Sequence, residues 1–345
     1  MMIGRYTARH LAIAAVALVG VAASLARSAD GAEIFAGKQI RMIVPGDQAG
    51  GYALYAQLAV QHFGRFIPGN PAIVISYMPG AGGLNAMNHL YEVAPRDGTV
   101  MGVIAQELPY QQVLGTKGVR YDGSKFNYIG RVAPNVPVHM IWHTAPAKSI
   151  SELKQREVVT AAVGSVGGQN DLPRAQNALI GTKWKIISGY RGNSETRIAM
   201  ERGETQAAIG PATLFTEQLR PWLAQRKVEI AVQYADFRHP IFPDVPALVE
   251  LADTPEAKGV FKLLVSVATL GRAYALPPDV PSETVGILRK AFLAMVKDPE
   301  FKADAEKRGA DLLSMPGEEL AAYVNGIIAT SPDIISKTNA VLAAR

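Results

Sequence analysis

The stretch of residues 40–105 alternates three apolar runs with two helix-like segments, and this alternation limits the possible folds more than any other feature of the chain. The apolar runs occupy residues 40–44, 72–77 and 100–105. A strand, helix, strand series of this kind implies parallel strands joined by right-handed crossovers. Open parallel sheets bind ligands in the crevice beyond the carboxyl ends of their strands. The sequence therefore predicts an α/β sheet with a ligand site at one edge.

Glycine-rich loops follow the first two apolar runs, at residues 45–51 and 78–83. Glycine allows the backbone to approach a ligand closely, and a helix that begins after such a loop presents unpaired N–H groups to an anion. The first of these helices should end near Ile67, because Pro68 follows. The loops suit tight strand-to-helix turns as well as a shared anion site, and both interpretations stay open here.

The first 31 residues have the layout of a secretory signal peptide. Basic residues precede an apolar run at residues 11–23, and small residues follow up to Gly31. The run is shorter than a typical membrane span, which disfavours an uncleaved anchor. We predict cleavage between Ala26 and Gly31 and a periplasmic location for the mature protein.

Composition limits the partners that the chain can have. The 345 residues include 35 basic and 30 acidic side chains, and a cleavage that removes Arg5, Arg9 and Arg27 but no acid would leave 32 against 30. No basic stripe interleaved with aromatic residues is present, so nucleic acid is not an expected partner. The chain contains no cysteine, so neither disulfides nor a lipid-bearing cysteine is expected. We expect a monomer without a cofactor or metal.

The second part of the chain repeats the logic of the first. Strand-like runs again alternate with helical segments, and two of the runs end in glycine-rich loops at residues 164–171 and 189–193. The chain then returns through residues 263–276, after which mainly helices are expected. A chain of this length exceeds one ordinary core, so we predict two doubly wound α/β lobes joined by a hinge. The predicted division is a signal peptide at 1–31, lobe 1 at 32–133 with 262–345, and lobe 2 at 134–261.

Several motifs in a fixed order give the chain a resemblance to one family. Residues 78–83 read Met-Pro-Gly-Ala-Gly-Gly, residues 94–99 read Ala-Pro-Arg-Asp-Gly-Thr, and residues 238–246 read Arg-His-Pro-Ile-Phe-Pro-Asp-Val-Pro. Gly-Ser-Val-Gly at 164–167 and Tyr-Arg-Gly at 190–192 lie between them. The chain thus resembles the extracytoplasmic solute receptors of tripartite tricarboxylate transporters, also called Bug or TctC-like proteins.

The resemblance implies a type II periplasmic-binding-protein fold whose two lobes close on a small organic carboxylate, without catalysis. It also implies delivery of the solute to membrane permease subunits made by other chains. Members of the family hold a ligand carboxylate with main-chain N–H groups and hydroxyls of the loops after the early strands. The candidates carried over by motif, or by position in the same loop, are Gly50, Gly51, Tyr52, Gly82 and Gly83 in lobe 1 and Ser165, Gly167, Gly168, Asn170, Tyr190, Arg191 and Gly192 in lobe 2.

The chain departs from the family pattern beside the first loop. Many relatives carry an aspartate and an arginine in the helix that follows, where Ala53 and Gln57 stand here. A histidine near Asp171 and an aspartate near Gln206 are also replaced. Without the early aspartate, a ligand ammonium lacks an obvious partner. We therefore expect a simple carboxylate as the ligand rather than an amino acid.

Other chemistries fit the sequence less well. A dinucleotide-binding Gly-x-Gly-x-x-Gly is not completed, because Asn85 stands where the third glycine belongs. His139 and His143 share one side of a strand, but the sequence shows no third metal ligand. Ser165 does not complete a Gly-x-Ser-x-Gly motif, because Val163 occupies the first position. The remaining alternatives are a ligand-binding subunit of a sensory system and an enzyme on the same fold.

Overall fold

The computed structural model describes residues 34–48, 50–165, 167–216 and 218–343. The predicted signal peptide lies outside these residues. None of the helices in this part of the chain combines the length and the apolar character that a membrane span requires.

The strands form two separate sheets. In chain order the strands are β1 (Gln39–Val44), β2 (Ala72–Tyr77), β3 (Val100–Val103), β4 (Asn127–Arg131), β5 (Pro137–Trp142), β6 (Val158–Val163), β7 (Trp184–Tyr190), β8 (Ala207–Pro211), β9 (Val228–Gln233), β10 (Ala273–Leu276) and β11 (Met315–Pro316). The first sheet has the order β11-β4-β10-β3-β1-β2, and the second has the order β7-β6-β8-β5-β9.

The two sheets share one arrangement. In the first, β1 pairs in parallel with β2 and β3, and β10 runs antiparallel beside β3. In the second, β6 pairs in parallel with β7 and β8, and β5 runs antiparallel beside β8. The predicted parallel strands and the predicted repetition of the unit are confirmed. Sequence inspection missed β9, an edge strand of the second sheet.

Helices connect the strands and cover the sheets. They are α1 (Gly51–His62), α2 (Leu84–Glu92), α3 (Leu108–Val113), α4 (Ile150–Leu153), α5 (Gly168–Ile180), α6 (Asn193–Glu201), α7 (Arg220–Ala224), α8 (Pro255–Leu270), α9 (Ser282–Met295), α10 (Pro299–Lys307), α11 (Gly317–Ile328) and α12 (Pro332–Ala343). A 3-10 turn, Phe63–Phe66, extends α1, so this helical segment ends just before Ile67 as predicted.

Each sheet supports its own apolar core. Met42, Tyr274 and Phe292 are fully buried in the core of the first sheet. Phe261 is fully buried and Leu172 nearly so in the largest core cluster of the second. Burial of one large apolar side chain stabilises the folded state by about 1.5–3 kcal/mol. The apolar core on each sheet therefore stabilises the packing of helices against that sheet.

The segment that returns from the second sheet is helical. The apolar run 263–269 forms the C-terminal half of α8, and its Leu264 packs in the cluster with Leu172. Helix α12 joins the same cluster through Val341. Residues 262–345 were assigned to lobe 1, whereas these apolar faces complete the core of the second sheet. The lobe boundaries stay a prediction, and this packing favours counting α8 and α12 with the second sheet.

Two connections between the sheets lie against each other at Gly271. One connection is residues 132–136, between β4 and β5; the other links α8 to β10. The Arg272 N–H donates to the Ala133 carbonyl at 2.8 Å, and the Val132 N–H donates to the Arg272 carbonyl at 2.9 Å. Gly271 has φ +52°, and a Cβ at this position would lie 2.3 Å from the Ala133 oxygen. The close approach of the two connections therefore requires glycine.

Arg131, the last residue of β4, forms hydrogen bonds that stabilise the region around Gly271. Its side chain donates from Nη1 to the Thr269 carbonyl at 2.7 Å and from Nη2 to the Leu313 carbonyl at 3.0 Å. Burial lowers the pKa of Arg131 to about 10, which leaves the guanidinium protonated at neutral pH. The charged group thus ties β4 to the end of α8.

Replacement of Gly271 tests this packing. We expect Gly271→Ala to lower the free energy of unfolding by about 1–3 kcal/mol, because the methyl group meets backbone and the φ is unfavourable for alanine. Gly286→Ala is the matched control, since Gly286 lies within α9 with open space around it. That change should be neutral or stabilise by up to about 1 kcal/mol. Urea unfolding followed by circular dichroism measures both, and equal behaviour of the two variants would contradict the steric argument.

Candidate ligand-binding cleft

A cavity of about 450 Å³ lies between the two sheets. This volume falls in the range of small-molecule sites. The first sheet and the connections contribute four polar residues, which are Gln106, Glu107, Asn135 and Arg272. The second sheet and its helices contribute Pro137, Gly168, Gln169, Leu172, Asn193, Ile209, Gly210, Pro211, Tyr234, Leu264, Val265, Val267 and Ala268.

Gln106 forms hydrogen bonds to the other polar groups on the first side of the cleft, which the first sheet and the connections form. Its Oε1 accepts from Arg272 Nη1 at 3.2 Å and from Asn135 Nδ2 at 3.1 Å. Its Nε2 donates to Glu107 Oε1 at 3.1 Å, and its main-chain N–H donates to the Tyr52 hydroxyl at 2.8 Å. The Gln106 amide therefore stands between a cation and an acid.

Arg272 connects the cleft to the predicted first loop. Its guanidinium carbon lies 4.9 Å from the ring centre of Tyr52 and 5.8 Å from that of Tyr55. A Cβ at Gly51 would lie 2.9 Å from Arg272 Nη2, so glycine leaves room for the guanidinium. Burial, reinforced by Asp311 and opposed by Arg272, raises the pKa of Tyr55 to about 12. Gly51 and Tyr52 thus affect the cleft indirectly, because they line the space that the Arg272 guanidinium occupies.

Glu107 is the acidic group of the cleft. It lies at the start of α3, beyond the carboxyl end of β3. Burial raises the pKa of Glu107, while its own main-chain N–H, the Gln106 amide and Arg272 act in the opposite direction. Among the described residues it has no ion pair within 4.0 Å. Its carboxylate is therefore stabilised by hydrogen bonds and by the more distant charge of Arg272.

Two helices of the second sheet begin at the cleft, and each has a glycine as its N-cap residue. Gly167, with φ +100°, precedes α5, and Gly192 precedes α6. Neither of these N-cap positions supplies a side-chain hydrogen bond. Both helix starts line a second space of about 350 Å³ that shares Gly168, Gln169 and Asn193 with the main cavity. Uncapped N–H groups and the helix dipole favour an anion at this place.

Gln169 holds the two helix starts in position. Its Oε1 accepts from the Val163 N–H at 2.9 Å. Its Nε2 donates to Asn193 Oδ1 at 2.7 Å and to the Ile209 carbonyl at 3.3 Å. These bonds join the ends of β6 and β8 to the start of α6.

Three other predicted ligand positions of lobe 2 make contacts within the protein. Asn170 is fully buried; its Nδ2 donates to the Val163 carbonyl at 3.3 Å, and its Oδ1 accepts from the Ser188 hydroxyl at 2.6 Å. The Arg191 side chain is 91% exposed, and its guanidinium lies 3.4 Å from a carboxylate oxygen of Glu195. Tyr190 ends β7, and burial raises its pKa.

The remaining predicted positions lie in the loops. The Gly82 carbonyl accepts from Gln111 Nε2 at 3.3 Å. Gly83 has φ +90° and packs so closely on Ala105 that a Cβ there would lie 2.5 Å from the alanine methyl. Gly50 and Ser165 are exposed. The structure thus brings Gly168 to the main cavity and Gly167 and Gly192 to its extension, and the contact of all these positions with a ligand stays a prediction.

The sequence analysis missed the four polar residues that the first sheet and the connections contribute, which are Gln106, Glu107, Asn135 and Arg272, and also Gln169, Asn193 and Tyr234 on the opposite side. A signal for the first two was present, because they follow the third parallel strand at the same sheet edge as the glycine loops. Asn135 and Arg272 lie on the connections between the sheets, and their approach to the cleft depends on how those connections pack. No local pattern of residues reports that packing.

His139 supports the cleft wall from the core of the second sheet. Its Nδ1 lies 2.7 Å from the Tyr234 hydroxyl, its Nε2 lies 2.8 Å from the Thr160 hydroxyl, and its ring stacks on Trp184 at 3.8 Å. Gln176 donates to the same Tyr234 hydroxyl at 2.9 Å and accepts from Trp184 Nε1 at 2.8 Å. Burial lowers the pKa of His139 to about 3. In the part of the chain that the structure describes, no group of three or more histidine or acidic side chains could hold a metal ion.

The pKa of His139 predicts loss of stability in acid. Unfolded protein binds a proton at this histidine below about pH 6.5, whereas the folded protein does not until about pH 3. The contribution of His139 to the free energy of unfolding is therefore complete above pH 6.5. It decreases by about 1.4 kcal/mol per pH unit as the pH drops towards 3. We expect His139→Gln to remove this pH dependence of the free energy of unfolding, which urea unfolding measures between pH 6.5 and 4.5. The exposed His143→Gln should keep it, and the same slope in both variants would contradict the assignment.

The paired α/β sheets with a polar cleft between them define the class of two-lobed solute-binding proteins. Two solved structures of that class share the fold. A TctC solute-binding protein from Polaromonas has a TM-score of 0.69 and 18% identity, covering 87% of this chain and 98% of that one. MatC from Rhodopseudomonas palustris, with bound malate, has a TM-score of 0.57 and 19% identity, covering 86% and 99%.

Sequence comparison gives the family. A Cupriavidus necator protein described as "UPF0065 protein in gbd 5'region" is 24% identical in an alignment that covers 96% of each chain. Residues 67–340 match the profile of the tripartite tricarboxylate transporter family receptor, TctC. The chain belongs to this family of solute-binding proteins. The predicted family and the predicted two-lobed α/β fold are confirmed.

Proposed function

We propose that the protein captures a small carboxylate-bearing solute in the periplasm and delivers it to the permease subunits of a tripartite tricarboxylate-type transporter. The observation that carries this proposal is the meeting of two uncapped helix N-termini with Arg272 in one cleft. Main-chain N–H groups and a guanidinium are the donors that a carboxylate accepts most favourably.

The two sides of the cleft supply different parts of this recognition. The second side offers N–H groups at Gly168 and Gln169 and at the start of α6. The first side offers the guanidinium of Arg272, whose buried Nε has no hydrogen-bond partner among the described residues. A solute that touches both sides would draw the lobes together, since its contacts are complete only when both are near.

Two further observations support the role of a receptor. The neighbour from Rhodopseudomonas palustris holds malate, which is a carboxylate, in the same fold. The family is described as a transporter receptor, and the predicted leader at residues 1–31 would send the chain to the periplasm where such receptors act. These observations support capture of a solute, and the absence of turnover, the export and the delivery all belong to the proposal.

A thermal-shift screen tests the capture of a carboxylate. The purified protein is heated with monocarboxylates, dicarboxylates, tricarboxylates, aromatic acids and amino acids, and with neutral sugars as controls. A ligand at 100 times its Kd stabilises the folded state by about 2.7 kcal/mol, so a clear shift is expected for at least one acid. Shifts with sugars and with none of the acids would overturn the proposal.

Substitution of Arg272 tests its part in holding the acid. We expect Arg272→Gln to weaken binding of the best acid about 10- to 100-fold, because a charge-assisted hydrogen bond is lost. Arg120→Gln is the matched control, since it removes the same charge from an exposed ion pair with Glu92. Isothermal titration calorimetry measures both variants after their folding has been verified by circular dichroism. An unchanged affinity in folded Arg272→Gln would exclude this residue from the carboxylate site.

A further inference from the structure

The charges of the cleft form a separated pair. Among the described residues that line the cavity, Arg272 is the one basic side chain and Glu107 the one acidic side chain. No nitrogen of Arg272 comes within 4.0 Å of a carboxylate oxygen of Glu107, because the Gln106 amide lies between them. Opposite charges that could have neutralised each other are thus held apart at the surface of one cavity.

Hydrogen bonds keep this separation fixed. Gln106 turns its oxygen towards Arg272 and its nitrogen towards Glu107, so its own two ends match the two charges. The Tyr52 hydroxyl accepts from the Gln106 main-chain N–H, and Asn135 donates to the same Gln106 oxygen. The amide therefore has no freedom to turn over without breaking three side-chain bonds.

An acid held in this way disfavours a second anion. A carboxylate that leaves water needs a cation or strong donors nearby, and a like charge beside it raises the cost. A second ligand carboxylate placed beside Glu107 would meet this cost, whereas one directed to the starts of α5 and α6 would not. A solute with a carboxylate at one end and an ammonium near it would satisfy both protein charges.

We infer that the protein selects a zwitterion, with the ligand carboxylate at Arg272 and its ammonium at Glu107. This inference rests on the proposed capture of a carboxylate and narrows it to amino acids and similar solutes. It reverses the expectation drawn from Ala53, because Glu107 supplies from the end of β3 the ammonium partner that the first helix lacks. Glu107 is then the residue that determines specificity in this cleft.

Matched pairs of ligands test the inference. Isothermal titration calorimetry compares L-aspartate with succinate, L-glutamate with glutarate, L-leucine with 4-methylpentanoate and L-phenylalanine with 3-phenylpropionate. The members of each pair differ only in the amino group. We expect at least one amino member to bind about tenfold or more tightly than its partner, because the ammonium gains a charge-assisted contact.

Two variants assign the preference to Glu107. Glu107→Gln keeps the shape of the side chain and removes its charge, so the ratio of affinities within the preferred pair should fall towards one. Glu92→Gln removes a charge from an exposed helix end and should leave the ratio as in the native protein. Arg272→Gln should weaken both members of the pair alike.

The outcomes separate the two proposals. Equal or tighter binding of the amino-free acids, or binding of no amino member, would overturn the zwitterion and leave carboxylate capture standing. An amino preference that survives in Glu107→Gln would overturn the role of Glu107. Binding of no acid of either kind, here and in the wider screen, would defeat the proposed function itself.

Discussion

The contact between two backbone segments at Gly271 is the constraint on which the arrangement of the molecule depends. The connections from β4 to β5 and from α8 to β10 exchange hydrogen bonds there, and no side chain fits between them. Arg272 follows Gly271 directly and reaches the cleft from this junction. The position of the cationic group of the site is therefore set by the packing that joins the two sheets.

Much of the fold was predictable because it is encoded locally. The alternation in residues 40–105 gave the parallel strands of the first sheet, and Pro68 marked the end of the first helix. Helix α12 was predicted as a helix and counted with lobe 1, whereas it packs on the core of the second sheet. An amphipathic face shows that a core is needed and not which core. Val341 and Leu172 are far apart in the sequence and belong to one core cluster only in the folded chain.

The site was predictable in part for the same reason. Glycine loops at strand ends led to Gly168 and to the helix starts at Gly167 and Gly192. Of the two charged side chains that distinguish this cleft, Glu107 follows a predicted parallel strand, whereas Arg272 carries no local pattern. Their arrangement depends on Gln106, which belongs to no motif in the sequence but lies between the two charged groups in the structure.

The buried network behind Tyr234 has a consequence for the thermodynamics of binding. Tyr234 forms one wall of the cleft, and His139 and Gln176 fix its hydroxyl from behind while Trp184 closes the cluster. Immobilising a side chain at an interface costs about 0.5–1.5 kcal/mol when it was free before. Because these contacts fix the side chain of Tyr234, an arriving solute meets a pre-organised wall and loses little affinity to side-chain entropy there.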